Sequence, residues 1–365
     1  MQEAATLWLR LLLARGVGPV SGRELVRACG SIEALWKTPP QALLKIDGVG
    51  PRIAEAIAGV KVAEVERIAA LCRQHDISVL SSDDDGYPPL LAETNDAPLL
   101  LFVRGDPTNL QRLPMLAVVG ARKASREGSL IARRWSRYFS ERGVTIVSGM
   151  AYGIDAAAHG GALEGDSPTI AVLGAGLASR FTDEQQRQIV AVCRNGCVVS
   201  EFLPEMEARP EHFPRRNRII AALSQATLVV EADVQSGSLI TARFAADYGR
   251  DVFAVPGSVL GENHAGCHQL IRDGAMLAES AEQVLRELGW GDGVAAKAEY
   301  SPVSEEEKNM LQALVAGPLH VDMLAETCGL TLPQLSPILL ALELQGVVER
   351  LPGSRYLLAV ELRES

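Results

Sequence analysis

Met115-Leu116-Ala117-Val118-Val119-Gly120-Ala121-Arg122-Lys123, followed downstream by Val144-Thr145-Ile146-Val147-Ser148-Gly149, decides how this 365-residue sequence folds. Met115 to Val119 is apolar without alternation, which predicts a strand covered on both faces. Ser125 can cap a helix over about Glu127 to Arg142, and Gly143 ends it. Val144 to Val147 is a second apolar run. Strand, loop, helix and strand make one βαβ unit, whose loops lie at the carboxyl ends of parallel strands, where ligands bind. Those loops carry glycine, arginine and serine, a composition suited to an anion.

Outward from this unit the alternation continues to about Leu288. Residues 169–173, 197–199, 227–230 and 252–255 read as further strands, separated by helical stretches at 183–194, 216–223 and 239–248. Repeated βα units predict an α/β domain, an extended Rossmann-like parallel sheet over 76–289 with helices on both faces. Upstream, 77–80 and 99–103 read as strands that extend the sheet. Residues 1–75 read as a helical domain. Within it Ile46-Asp47-Gly48-Val49-Gly50-Pro51-Arg52 has the form of a helix-hairpin-helix, whose glycine turn either presents N–H groups to phosphate or packs as a plain αα-hairpin. Packing is the simpler reading, because the first helix lacks a basic face. Residues 290–303, rich in Gly, Ala, Ser and Pro, read as a linker. Short helices at 304–314, 321–328 and 333–345 and a β-hairpin over 347–358 then predict a winged helix at 304–365. Winged helices often read DNA through their last helix. This one has no Lys or Arg in 333–345, and 300–365 holds 9 acidic and 4 basic residues, so a protein contact or a core role fits better.

Apolar content of 47% and charged content of 22% indicate a globular chain. The apolar run at 7–13 is too short to span a bilayer and no signal-like cleavage site follows it, so no membrane association is expected. Six scattered cysteines without a CxxC pair fit reduced thiols in the cytoplasm. Net charge is −10, which counts against a general polyanion binder. Screening over roughly 8–10 Å still leaves room for a local basic pocket. The 114–289 segment is close to neutral, with 18 basic and 20 acidic residues.

Four loops carry chemistry. Gly120-Ala121-Arg122-Lys123 lacks the Gly-x-Gly-x-x-Gly of a dinucleotide fingerprint and suggests arginine contact with phosphate instead. Ser148-Gly149-Met150-Ala151-Tyr152-Gly153-Ile154-Asp155 is a glycine-rich turn before a helix; it reads equally as a phosphate nest or as a packed turn with Asp155 capping. His212-Phe213-Pro214-Arg215-Arg216-Asn217-Arg218 puts three arginines at the expected helix start, against the helix dipole, which a bound polyanion would offset. Gln235-Ser236-Gly237-Ser238 opens another helix. The loops are expected to gather their arginines on one rim, with Arg122 and Arg218 on the same side. No set of His and Cys supplies zinc ligands at familiar spacing, and there is no Walker loop or Gly-x-Ser-x-Gly elbow, so neither cofactor nor catalytic residue is expected.

These motifs resemble the DNA-processing protein A family (DprA, also called Smf) of bacterial natural transformation. The resemblance runs through Tyr87-Pro88 with Asp96 and Pro98, Val119 to Arg122, Ser148 to Asp155 with His159, Phe213 to Ile220, Ser236 to Ala242, and Val255-Pro256-Gly257. It implies a non-enzymatic single-stranded DNA-binding protein that forms a homodimer, protects incoming DNA and loads the RecA recombinase. It also implies SAM-like N-terminal helices and a C-terminal winged helix. Carried onto this chain, Arg122 with Lys123 would meet phosphate, Ser148 and Gly149 would line the pocket, Arg215, Arg216, Asn217 and Arg218 would form a basic wall, and Ser236, Gly237 and Ser238 another edge. Where the family often has Tyr-Pro, this chain has Arg180-Phe181-Thr182, and Arg180 would supply a basic group. The alternative is a Rossmann-like nucleotide phosphoribohydrolase of the lonely-guy type, whose Pro-Gly-Gly turn is missing here. An NAD oxidoreductase ranks last. For the dimer surface an apolar strip at Leu270 to Leu288 is a guess, with core packing the simpler account.

Overall fold

Strands with no polar alternation must be covered on both faces, and the topology does this. The computed structural model describes residues 3–260, 262–290, 299–300, 304–315, 319–344, 347–351, 354–358 and 361–362. The chain divides into two compact units, 1–288 and 289–365.

In the first unit the strands are β1 (Ile77–Ser81), β2 (Leu100–Gly105), β3 (Met115–Val119), β4 (Thr145–Ser148), β5 (Thr169–Val172), β6 (Gly196–Ser200), β7 (Ala226–Val229), β8 (Asp251–Ala254) and β9 (Met276–Leu277). They form one sheet in the order β1-β2-β6-β5-β4-β3-β7-β8-β9. From β6 to β9 every pairing is parallel; β2 runs antiparallel to β6, and β1 antiparallel to β2. β3 lies between β4 and β7, with Leu116 opposite both Ile146 and Ala226. The chain builds β3 to β6 toward one side, then returns to lay β7 on the other. The loops after β3 and β7 therefore diverge and open a crevice at the carboxyl edge.

The helices are α1 (Glu3–Leu12), α2 (Pro19–Cys29), α3 (Ile32–Lys37), α4 (Pro40–Leu43), α5 (Pro51–Ala58), α6 (Val62–Gln74), α7 (Pro89–Ala92), α8 (Arg126–Ser140), α9 (Ile154–Ala162), α10 (Asp183–Arg194), α11 (His212–Leu223), α12 (Ser238–Asp247), α13 (Ala265–Arg272) and α14 (Ala281–Glu287). α1 to α6 share a core with the sheet. Trp8, Leu9, Leu25 and Ile68 pack in one cluster with Leu100, Phe102, Ala171 and Val198. The alternating neighbours Leu101, Val103, Ile170, Val172 and Val199 belong to the core on the opposite face. Period-two alternation thus assigns one face of β2, β5 and β6 to the N-terminal helices. Gly16-Val17-Gly18-Pro19 and Gly48-Val49-Gly50-Pro51 form the same turn twice. Gly16 and Gly48 sit at φ 86° and 80°, and Pro19 and Pro51 open the next helices. The sequence reading saw a helix-hairpin-helix only in the second copy.

α11 begins at His212, a full turn earlier than expected, so Arg216 and Arg218 lie in its second turn rather than at its dipole end. The Leu270 to Leu288 strip is broken into part of α13, β9 and α14, and Ala281, Val284 and Leu285 are buried in the unit's own core.

In the second unit, helices α15 (Glu305–Val315), α16 (Val321–Cys328) and α17 (Leu332–Leu344) pack with strands β11 (Leu319–His320), β12 (Val348–Leu351) and β13 (Arg355–Leu358), a winged helix. Within the expected linker, 291–298 and 301–303 lie outside the described residues. The two residues between them form β10 (Glu299–Tyr300), which pairs in parallel with β14 (Glu361–Leu362).

Candidate nucleic-acid interface

A cavity of about 580 Å³ occupies the crevice between the β3 and β7 loops. Gly120 to Lys123 form one wall, Ser236 to Ser238 another, and Phe213, Pro214, Arg216 and Asn217 of α11 close it. A second cavity of about 200 Å³ adjoins it and shares Arg122, Ala151, Phe213 and Arg216 with it. Arg180 lines the second.

The Arg122 loop is held from beneath. Ala121 N–H donates to the Glu231 carbonyl at 2.7 Å. The buried Glu231 carboxylate accepts from Ser125 N–H at 3.1 Å and from its hydroxyl at 2.8 Å, while that hydroxyl caps α8 by accepting from Gly128 N–H at 2.9 Å. A Cβ on Gly128 would fall 2.0 Å from the Glu231 carboxylate, so glycine makes room for the anchor. The loop is fixed while its side chains stay exposed. The Arg122 guanidinium lies over the Phe213 ring at 4.7 Å. Among the described residues no carboxylate pairs with Arg122, Lys123 or Arg180, and all three are exposed.

The other cations are already engaged. Arg216 is buried and donates to the Gly149 and Val172 carbonyls and, at 3.1 Å, to Asn217 Oδ1. Burial pulls its pKa down to about 10 against the opposite effect of Asp155. Arg218 is buried in an ion pair with Glu201 and donates to the Asp96 carbonyl; it lines a different cavity, one it shares with α1–α2 loop residues and Arg215. Arg215 is half-exposed but pairs with the same Glu201 carboxylate at 3.3 Å and covers Phe202. The expected single rim of arginines is therefore corrected: Arg122 and Arg218 occupy separate cavities, because Glu201 and Asp96 draw Arg218 away.

Of the two residues expected to line the pocket, Gly149 lines the second cavity, whereas Ser148 is turned into the sheet. The Ser148 hydroxyl is buried and donates to the Val118 carbonyl at 2.6 Å. Gly149 N–H and Ala151 N–H donate to Asp155 Oδ2 at 3.2 and 3.3 Å. The carboxylate fills the nest that the sequence reading offered to phosphate, and Gly153, not Asp155, takes the cap position. Burial pushes the Asp155 pKa up despite the facing Arg216. A Cβ on Gly149 would lie 2.0 Å from Arg216, so glycine is needed for that approach.

The α12 edge stays available. Ser236 and Ser238 hydroxyls lie 2.8 Å apart, and Gly237 borders open space. Asn217 Nδ2 donates to the Gly237 carbonyl at 3.1 Å, tying α11 to this edge. The aromatics were missed as site residues: Phe213 under Arg122, and Tyr152, 54% exposed, on the rim of the second cavity with Phe181. An aromatic flanked by glycine in a polar loop was the available signal. A hydrolase's free carboxylate is not found in Glu231, which is bound to Ser125. His268 Nε2 bonds to the Gly257 backbone, and the described residues contain no cluster able to hold a metal. All six cysteines are free thiols.

The profile for DNA recombination-mediator protein A matches residues 78–289, and that for the DprA winged helix domain 294–354. Helix-hairpin-helix profiles match 9–60 and, as a SAM-like tandem, 40–81. Protein Smf of Escherichia coli is 36% identical over 95% of this chain and 94% of its own length. The X-ray structure of DNA processing protein A from Streptococcus pneumoniae superposes with a TM-score of 0.70 at 34% identity, covering 79% of this chain and 99% of that one. DNA processing protein A from Helicobacter pylori, in a structure described by its single-stranded DNA binding mode, gives 0.52 at 25% identity over 58% of this chain and 95% of that one.

Proposed function

The chain belongs to the DNA recombination-mediator protein A family, and from that premise we propose that it binds single-stranded DNA in the β3–β7 crevice, without cutting it, during natural transformation. The observation that carries this reading is the rim itself. Arg122, Lys123 and Arg180, exposed and with no carboxylate partner among the described residues, alternate with Tyr152, Phe181 and Phe213 around two joined cavities. Cations hold phosphates, and aromatic faces take the unstacked bases that only a single strand offers. The Ser236-Gly237-Ser238 edge adds neutral donors at a helix start. The α11 residues Arg215, Arg216, Asn217 and Arg218, with Ser148 and Gly149, serve as the frame that sets this rim. In the cell we place the protein in the cytoplasm as a homodimer that shields the strand and passes it to RecA. No helix among the described residues is long and apolar enough to cross a membrane.

The test is fluorescence anisotropy with matched single- and double-stranded oligonucleotides across a salt series. Arg122→Ala with Lys123→Ala should weaken single-strand binding at least several-fold and lower the salt slope by roughly 1.4, about 0.7 per lost phosphate contact. Unaltered affinity and slope in a folded double variant would remove the site. Filament assembly by RecA on coated strands, with and without this protein, tests the handover.

A further inference from the structure

A third cavity, of about 350 Å³, lies where the turn between α1 and α2 meets the sheet. It shares no lining residue with the two cavities of the crevice. Leu12, Val17 and Val20 wall it from the helical side, and Leu99 and Leu100 from the strand side. Glu201, Asp96, Arg215 and Arg218 supply the charge. Two carboxylates against two guanidinium groups leave no net attraction for a polyanion. Arg218 is already engaged, by Glu201 Oε2 and the Asp96 carbonyl.

We propose that this cavity is a binding site for a free apolar α-amino acid. Three unspent polar groups carry the inference. The Glu201 side chain is only 4% exposed, and its Oε1 has no hydrogen-bond partner among the described residues. A buried acceptor left open is costly, so it calls for a donor. Arg215 places Nη2 on the same carboxylate at 3.3 Å, but its other N–H groups have no partner among the described residues, and its side chain is half-exposed. The Val20 N–H is the first that α2 offers, because Pro19 has none, and no described group accepts it. An open acceptor beside open donors fits a zwitterion. The ligand ammonium donates to Glu201 Oε1. Its carboxylate accepts from Arg215 and from the Val20 N–H, at a helix start that favours negative charge. Its side chain rests on Leu12, Val17 and Leu99. The volume lies at the small end of ligand pockets, roughly 300–1,000 Å³, which suits one residue better than a peptide. The cavity is walled by both the helices and the sheet, so its occupant ties one to the other. This site is independent of the single-strand reading above.

The test is isothermal titration calorimetry of the full-length protein with L-leucine, L-methionine and L-phenylalanine as probes. At least one should bind one to one with a Kd of about 1 mM or tighter. The same probe should raise the melting temperature as its occupancy rises, since it binds only the folded chain. Blocking either end of the probe tests the polar contacts. The N-acetyl derivative has no ammonium for Glu201 and the amide no carboxylate for Arg215; each should bind about tenfold more weakly, as expected for one charge-assisted hydrogen bond. Arg215→Ala leaves the Arg218–Glu201 pair in place and should weaken binding about fivefold or more, with a thermal melt confirming the fold. Absence of binding by all three probes, equal binding by either blocked form, or a Kd unchanged in folded Arg215→Ala protein would each overturn the site.

Discussion

At the scale of single residues, charge alone did not separate the exposed cations from the buried ones. Arg122 and Arg218 look alike in the sequence, yet one is exposed and pairs with no carboxylate among the described residues, and the other is buried against Glu201. Arg218→Ala should therefore act on stability. It leaves the buried Glu201 carboxylate with only the half-exposed Arg215, at a cost of up to about 3–5 kcal/mol, and lowers the melting temperature before it touches DNA affinity. A variant with an unchanged melt and weakened binding would return Arg218 to the site. Glu231 gives the converse case. Glu231→Ala should leave Ser125 N–H unanswered and loosen the Arg122 loop, and Glu231→Gln, which keeps an acceptor, should restore much of the binding. Equal losses in both would show that the carboxylate charge, not its geometry, matters. No local pattern marks Glu231, because its partner Ser125 lies 106 positions away.

At the scale of elements, strands and helices could be read from apolar period and caps, and their bounds mostly moved by a residue or two. α11 starts a full turn earlier than expected, and Pro214 sits within its first turn, where no N–H is needed. The glycine turn before α9 shows why loops resist such reading: its N–H groups are consumed by Asp155, a choice of hydrogen-bond partner that spacing does not reveal. α9 also carries a pH dependence. Thr169 donates its hydroxyl proton to the Ile146 carbonyl at 2.9 Å, so it accepts from His159 Nδ1–H at 2.8 Å. His159 Nε2 is then buried without a partner among the described residues, and burial, with help from Arg216, holds the ring's pKa down to about 4. The unfolded chain takes up this proton near pH 6.5 and the folded one near 4. The His159 contribution is thus complete above about 6.5 and drains away as pH falls from there to about 4. Urea melts across pH 4 to 8 should show this slope, and His159→Gln should flatten it; an identical slope in the variant would assign it elsewhere.

At the scale of the whole molecule, the sequence suggested the right parts, but not that the helical part covers the sheet. Trp8 and Leu9 share a cluster with Leu100, Phe102 and Val198, contacts too distant in the chain for local pattern to show. Residues 1–288 should accordingly fold as one unit, with a single thermal transition and retained single-strand binding. Removing residues 1–75 from it should expose that face and leave the remainder aggregated. A soluble, cooperatively melting 76–288 fragment would contradict this. The shared core also sets an order of events during synthesis. Trp8 leaves the ribosome early, but β6, the strand beside β2, ends at Ser200. At about 5–20 residues per second the first helices wait roughly 10–40 s for their partner surface. Throughout that interval their greasy sides are open to whatever chaperone stands at the exit tunnel.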